Sequence, residues 1–180
     1  MQHDVFISYS HKLKVLVDKI VSELEHNKVK CWYAPRDVIG DYATSIVDAI
    51  EKAKIFVVIL DGESSNSVHV LNEVEIAYKR IVEEDANLII MPFKINDEAL
   101  SKAMEYYVRR MHWIDASSSS IDNAINELVV KIKTIINPKI AIIIPIMLNF
   151  PPLQPLHSVK ARKPFIFQHL ISLRWRQLPL

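Results

Sequence analysis

Apolar positions along the first 136 residues follow two rhythms. Val5–Ser8, Val29–Tyr33, Ile55–Leu60 and Leu88–Phe93 are short, dense runs of strand length. Between them, apolar residues recur every three or four positions, the signature of one buried helix face. Leu13, Leu16, Val17, Ile20, Val21 and Leu24 mark a first helix, and Ala43, Ile46, Val47, Ile50 and Ala53 a second. Val68, Leu71, Val74, Ala77, Tyr78 and Ile81 mark a third. A fourth helix is expected over Glu98–Arg110 and a short fifth strand at His112–Ile114. Ser117–Ser120 offers helix caps, and Ile121, Ile125, Leu128, Val129, Ile132 and Ile136 mark a last helix ended by Asn137-Pro138. Proline should stop the second strand at Ala34-Pro35-Arg36-Asp37 and the fourth near Pro92.

Five strands alternating with helices predict an α/β fold: a five-stranded parallel sheet covered on both faces. Ile55–Leu60 is apolar throughout and should lie centrally. A flavodoxin-like strand order, 2-1-3-4-5, reverses direction between strands one and three. Open parallel sheets bind ligands at such a reversal, beyond the carboxyl ends of the strands. Tyr9-Ser10-His11-Lys12 follows strand one; Asp61-Gly62-Glu63-Ser64-Ser65-Asn66-Ser67 follows strand three. Glu73 lies near the start of the next helix, close to the same crevice. Taken alone, an acid there serves the helix dipole or solvation as readily as chemistry. Glu75 should point away around the helix, and Glu63 should be solvated in its loop.

Composition removes several classes of function. The chain has 180 residues and a formal net charge of +1, which gives no global steering toward nucleic acid. Its only glycines, Gly40 and Gly62, exclude a Rossmann-type dinucleotide fingerprint. No close Cys/His cluster offers a structural zinc site, and no metal is expected. The single Cys31 permits no intrachain disulfide and reads as a small buried hydrophobe. With no apolar leader core at Met1-Gln2-His3-Asp4, a cytoplasmic location is expected.

The near-zero net charge hides a split. Residues 1–127 carry all 21 acids and 14 Lys and Arg, a net −7, whereas 128–180 carry 8 basic residues and no acid. Residues 1–137 are therefore read as one domain and 138–180 as a basic, proline-punctuated extension, poorly integrated and of altered or truncated origin. Ile140–Phe150 is apolar but broken by Pro145, and shorter than the roughly 20 residues of a membrane helix. The basic, aromatic stretch around Trp175 fits an anionic membrane surface, but this reading is the weaker one.

Several motifs in order resemble the bacterial TIR (Toll/interleukin-1 receptor) domain: Asp4-Val5-Phe6-Ile7-Ser8-Tyr9-Ser10, Cys31-Trp32-Tyr33-Ala34-Pro35-Arg36-Asp37, Ser64 to Ala77, and Ile90-Met91-Pro92-Phe93. The resemblance covers about three quarters of the chain and implies the flavodoxin-like fold. Arg36, Asp37 and the stretch to Asp41 match the so-called BB loop, which covers the site or joins neighbouring domains. Many bacterial members are NAD+ glycohydrolases that release nicotinamide and leave ADP-ribose or a cyclic isomer. Their catalytic glutamate stands in a pattern similar to W-x-x-x-E, and here His69-Val70-Leu71-Asn72-Glu73 places Glu73 at the acid and His69 at the tryptophan.

The resemblance thus implies Glu73 as the catalytic residue, and Ser8, Tyr9, Ser10, Trp32, Arg36, Asp37, Ser65 and His69 as substrate-binding. NAD+ is expected as substrate, with no cofactor. Seven of the eight binding residues also have a structural explanation: Tyr9 and Trp32 as caps on the core, Arg36 and Asp37 as a turn pair, Ser8 and Ser10 as turn residues, His69 as a surface residue. Assembly with further TIR domains is expected to gate activity. A non-catalytic TIR–TIR adaptor in signal transduction is the alternative.

Overall fold

The computed structural model describes residues 3–83 and 87–138. The extension over 138–180 lies, beyond Pro138, outside the described residues. The sheet consists of β1 (Val5–Ser8), β2 (Cys31–Trp32), β3 (Ile55–Leu60), β4 (Ile89–Lys94) and β5 (Ile114–Asp115). All pairs are parallel, in the order β2-β1-β3-β4-β5. The helices are α1 (Lys14–His26), α2 (Tyr42–Lys52), α3 (Val68–Glu83), α4 (Lys102–Val108) and α5 (Ile121–Ile136).

The two-residue strand period sorts the core into two layers. Val5, Ile7, Ile55, Val57, Ile59, Met91 and Phe93 face α1 and α5. Phe6, Trp32, Phe56, Val58, Leu60 and Ile90 face α2, α3 and α4. Every residue of β1 and β3 is buried. Each large apolar side chain so buried contributes about 1.5–3 kcal/mol, which makes the ends of these two strands a firm platform. Phe6 stacks on Phe56 at 5.3 Å and on Trp32 at 5.0 Å.

Helix boundaries follow local chemistry. Asp41 caps α2 by accepting from Thr44 N–H at 2.8 Å, and Ser120 caps α5 through Asn123 N–H at 3.2 Å. The last carbonyls of α2 are met from α3: Arg80 Nη1 donates to Ile50 O at 2.7 Å and Ala53 O at 3.1 Å. Those bonds fix α3, and with it Glu73, against α2. Cys31 is a buried free thiol whose pKa burial pushes up to about 12.

The order of elements is as the periodicity predicts, with four changes at boundaries. β2 shortens to Cys31–Trp32, and β5 is Ile114–Asp115 at the sheet edge. α4 begins only at Lys102, because the Ser101 side chain accepts from Met104 N–H and caps the helix there. Pro92 does not stop β4 but lies within it. Ile89 N–H donates to Lys54 O, and Ile95 N–H to Leu60 O, so odd-numbered residues face β3. Pro92 has the other parity, and its nitrogen faces the β5 side, where pairing begins only at Phe93.

Candidate functional site

The loops after β1, β2 and β3 and the first turns of α2 and α3 enclose a cavity of about 200 Å³. It is lined by Tyr9, Ser10, His11, Ala34, Pro35, Tyr42, Ser67, His69 and Glu73, with Phe6 and Ile7 beneath. Since β3 lies beside β1 while β2 lies on its other side, this is the reversal of strand direction.

Glu73 reaches the cavity for a helical reason. Val70, Val74 and Ala77 form the buried stripe of α3, and Glu73 sits at its edge. Helical side chains tilt toward the N-terminus, which here is the end beside the strand tips. His69, one turn earlier on the same face, lines the mouth. Burial raises the Glu73 pKa to about 7, and the Ser8 hydroxyl opposes part of that rise. Ser8 itself is fully buried, and its Oγ makes no hydrogen bond of normal geometry among the described residues. At neutral pH the carboxyl is therefore divided between acid and carboxylate.

Tyr9 spans the cavity wall. Its hydroxyl donates to Ala34 O at 2.6 Å, tying the loop after β1 to the loop after β2. Burial, with Tyr33 and Asp18 next, pushes its pKa to about 12, so it stays a neutral donor. Tyr42 is also shifted upward, by burial first and then by the nearby Glu73 charge. Outside the rim, Lys12 pairs with Glu63 and joins the loops after β1 and β3. Glu75 is exposed on the other side of α3.

Of the residues singled out from sequence, Glu73, Tyr9, Ser10 and His69 come together at this cavity, and Ser8 lies against Glu73. The other four lie elsewhere. Trp32 is a core residue: register pairs it with Phe6, which turns its ring under α2. Arg36 and Asp37 pair with each other, Nη2 to Oδ2 at 2.8 Å. Arg36 also reaches Glu25 and Cys31 O and lies 4.5 Å over the Tyr33 ring. Asp37 accepts from Tyr33 N–H, so the pair holds the loop against α1. Ser65 is buried away from the cavity, where its Oγ donates to Gly62 O and accepts from Ser101 N–H. Gly62 is required beside it, since a Cβ there would come within 2.9 Å of the Glu98 Cβ.

His11, Pro35, Tyr42 and Ser67 line the cavity and were not singled out from sequence. Ser67 carried the clearest signal, as the last polar residue before an apolar-periodic run. Tyr42 carried a similar one, as the first residue after the capping Asp41.

The profile of the TIR domain matches residues 5–129, and the chain belongs to the TIR domain family. No curated protein matches it. Among solved structures, it is similar to the TIR domains of the activated Roq1 resistosome that directly recognises the pathogen effector XopQ. That likeness has TM-score 0.60 and 11% identity, covering 72% of this chain and 99% of the other. It is also similar to the TIR domain of the Toll-related receptor TRR-2 of Hydra magnipapillata, with TM-score 0.56 and 18% identity over 75% and 99% of the two chains. A metazoan TIR-STING receptor from C. gigas, solved with 2',3'-cGAMP, aligns with TM-score 0.52 and 19% identity over 69% of this chain and 38% of that one. At these identities the likeness concerns the fold. Among the described residues, no helix is long and apolar enough to cross a membrane.

Proposed function

We propose that this TIR domain is an NAD+ glycohydrolase that cleaves the nicotinamide–ribose bond, with Glu73 as its catalytic residue. The observation that carries the reading is a partly buried carboxyl, with its pKa raised to about 7, facing a cavity at the strand reversal. The C1′–N bond breaks with its electron pair going to the pyridinium nitrogen, so nicotinamide leaves neutral. Positive charge then spreads over the ribose, and the Glu73 carboxylate stabilises it. Water adds at C1′ and gives up a proton to solvent, leaving ADP-ribose; attack at C1′ by a nucleophilic atom of the substrate's own adenosine half, with loss of its proton to solvent, gives a cyclic isomer instead.

The cavity is smaller than the several hundred Å³ usual for a whole ligand, and it fits the nicotinamide riboside end alone. Tyr9, Tyr42 and His69 offer ring faces and edges there, with Ser10 and Ser67 hydroxyls for the ribose. The dinucleotide's remaining half needs a surface beyond this cavity. A neighbouring TIR domain supplies it, and assembly gates the activity, as in a cytoplasmic protein of bacterial immune or stress signalling. Residues 1–137 act as the domain.

One observation favours the second reading, a non-catalytic TIR–TIR adaptor: His69 stands where the glycohydrolase pattern has tryptophan. Incubating concentrated protein with NAD+ and measuring free nicotinamide separates the two. The enzyme releases nicotinamide, faster per molecule when clustered on a scaffold; the adaptor associates and releases none under either condition.

A further inference from the structure

Ser8 is the only residue of β1 that is not apolar, and its neighbours Val5, Phe6 and Ile7 show what this strand otherwise requires. The side chain is 1% exposed, and its hydroxyl has no hydrogen-bond partner among the described residues. An unpartnered buried hydroxyl costs about 1–3 kcal/mol, so a strand that keeps one needs a reason for it. Among the described residues, the only other such atom is His3 Nδ1, whose ring is already held through Nε2 to Ala49 O.

The reason lies behind the cavity wall, where β1 packs against α3 and the Ser8 hydroxyl is a neighbour of the Glu73 carboxyl. The titratable groups around that carboxyl are Tyr9 and His11 from the loop after β1, Tyr42 from α2, and His69 from its own helix. Among the described residues, no Lys or Arg lines the cavity, so the fixed partner available there to the carboxylate is a hydroxyl. A serine hydroxyl donates to a carboxylate and accepts from a carboxylic acid simply by rotating.

We propose that Ser8 is the positioning residue of Glu73, its hydroxyl holding the carboxyl in one orientation in both protonation states and leaving one oxygen free for the substrate. This places Ser8 behind the reacting group and not on the substrate, and it rests on the reading of Glu73 as the reactive acid. Donation from Ser8 favours the charged form, so its loss makes Glu73 harder to ionise.

The test is a side-chain carboxyl titration of the full chain, labelled with 13C-glutamate, in the native protein, Ser8→Ala and Ser8→Thr. Ser8→Ala is expected to raise the Glu73 midpoint by about half a unit to one unit, and Ser8→Thr to restore it. The acid limb of nicotinamide release moves with it. A Ser8→Ala midpoint equal to the native one overturns the proposal, and so does a fall in release without any change in midpoint, which would place Ser8 on the substrate. If Ser8→Ala does not fold, Ser8→Cys keeps a weak donor: a smaller upward shift supports the proposal and an unchanged midpoint overturns it. Absence of nicotinamide release from every variant removes the glycohydrolase reading, while the titration still decides the Ser8–Glu73 coupling.

Discussion

Two crevices open at the carboxyl edge of the sheet, and they differ in an instructive way. The one beyond β4 and β5 is the larger, about 400 Å³, and richer in charge, with Asp97, Glu98, Glu105, Asp115, Lys94 and Arg109 around Trp113. The one beyond β1 and β3 is about 200 Å³ and, among the described residues, holds a single acid. All four acids of the larger crevice are exposed to solvent. Asp115 is held below its ordinary pKa by hydrogen bonds from Ser117. Glu73 is shifted the opposite way by burial. Exposed carboxylates surrounded by water have little electrostatic reach, whereas one withdrawn into a low-dielectric wall acts strongly on any charge that develops beside it. Desolvation, not volume or charge count, is therefore what sets the Glu73 cavity apart and supports the proposed chemistry there.

The widest separation between the crevices is expected in activity. Glu73→Gln should lower nicotinamide release by about 100-fold or more, the scale of losing a main transition-state stabiliser. Glu105→Gln, in the larger crevice, should leave the rate within about twofold, since an exposed acid contributes little. Equal losses in a chromatographic nicotinamide assay would erase the distinction.

Stability should move the other way. The Glu73 pKa is raised in the folded state, so the native protein binds more protons than the unfolded chain between about pH 4.5 and 7. Stability is lost as pH rises through that window, and the deficit persists above it. Glu73→Gln is thus expected to stabilise the protein at about pH 8, by on the order of 3 kcal/mol at most, and by almost nothing near pH 4. Urea melts at both values check this. The same substitution at Glu105 should show no such pH-dependent gain.

Smaller effects belong to the frame of the cavity. Tyr9→Phe removes the bond to Ala34 O and should cost about 1 kcal/mol by denaturant melts. Arg36→Lys keeps the charge but loses the forked contact with Asp37 and the packing over Tyr33. It should cost less than about 1 kcal/mol, with the catalytic rate nearly unchanged, because the pair is partly exposed and lies outside the cavity.

How much of this was legible in the sequence depended on range. The strand order and the crevice between β1 and β3 follow from apolar periodicity and the handedness of crossovers, which are local or topological. The place of Glu73 at the cavity was reachable because helix period and strand end both point there, while its catalytic role is implied by the resemblance alone. Trp32 was not, since its face depends on register against Phe6, and register is a tertiary property. Pro92 misled for a related reason: only the pairing of β4 shows which side its missing donor faces. Arg36 and Asp37 read as site residues because they match the so-called BB loop, but Glu25 and Tyr33 draw them toward α1. Ser65 was claimed by Ser101, 36 positions away, a contact no local pattern announces.

The most direct test follows nicotinamide release from about pH 5 to 9 in the native protein, alongside the Glu73 carboxyl titrated by NMR. The rate is expected to rise as that carboxyl ionises, the two curves sharing a midpoint at about 7. A rate that stays flat across this range, or that falls as Glu73 ionises, would contradict the assignment of bond cleavage to this carboxylate.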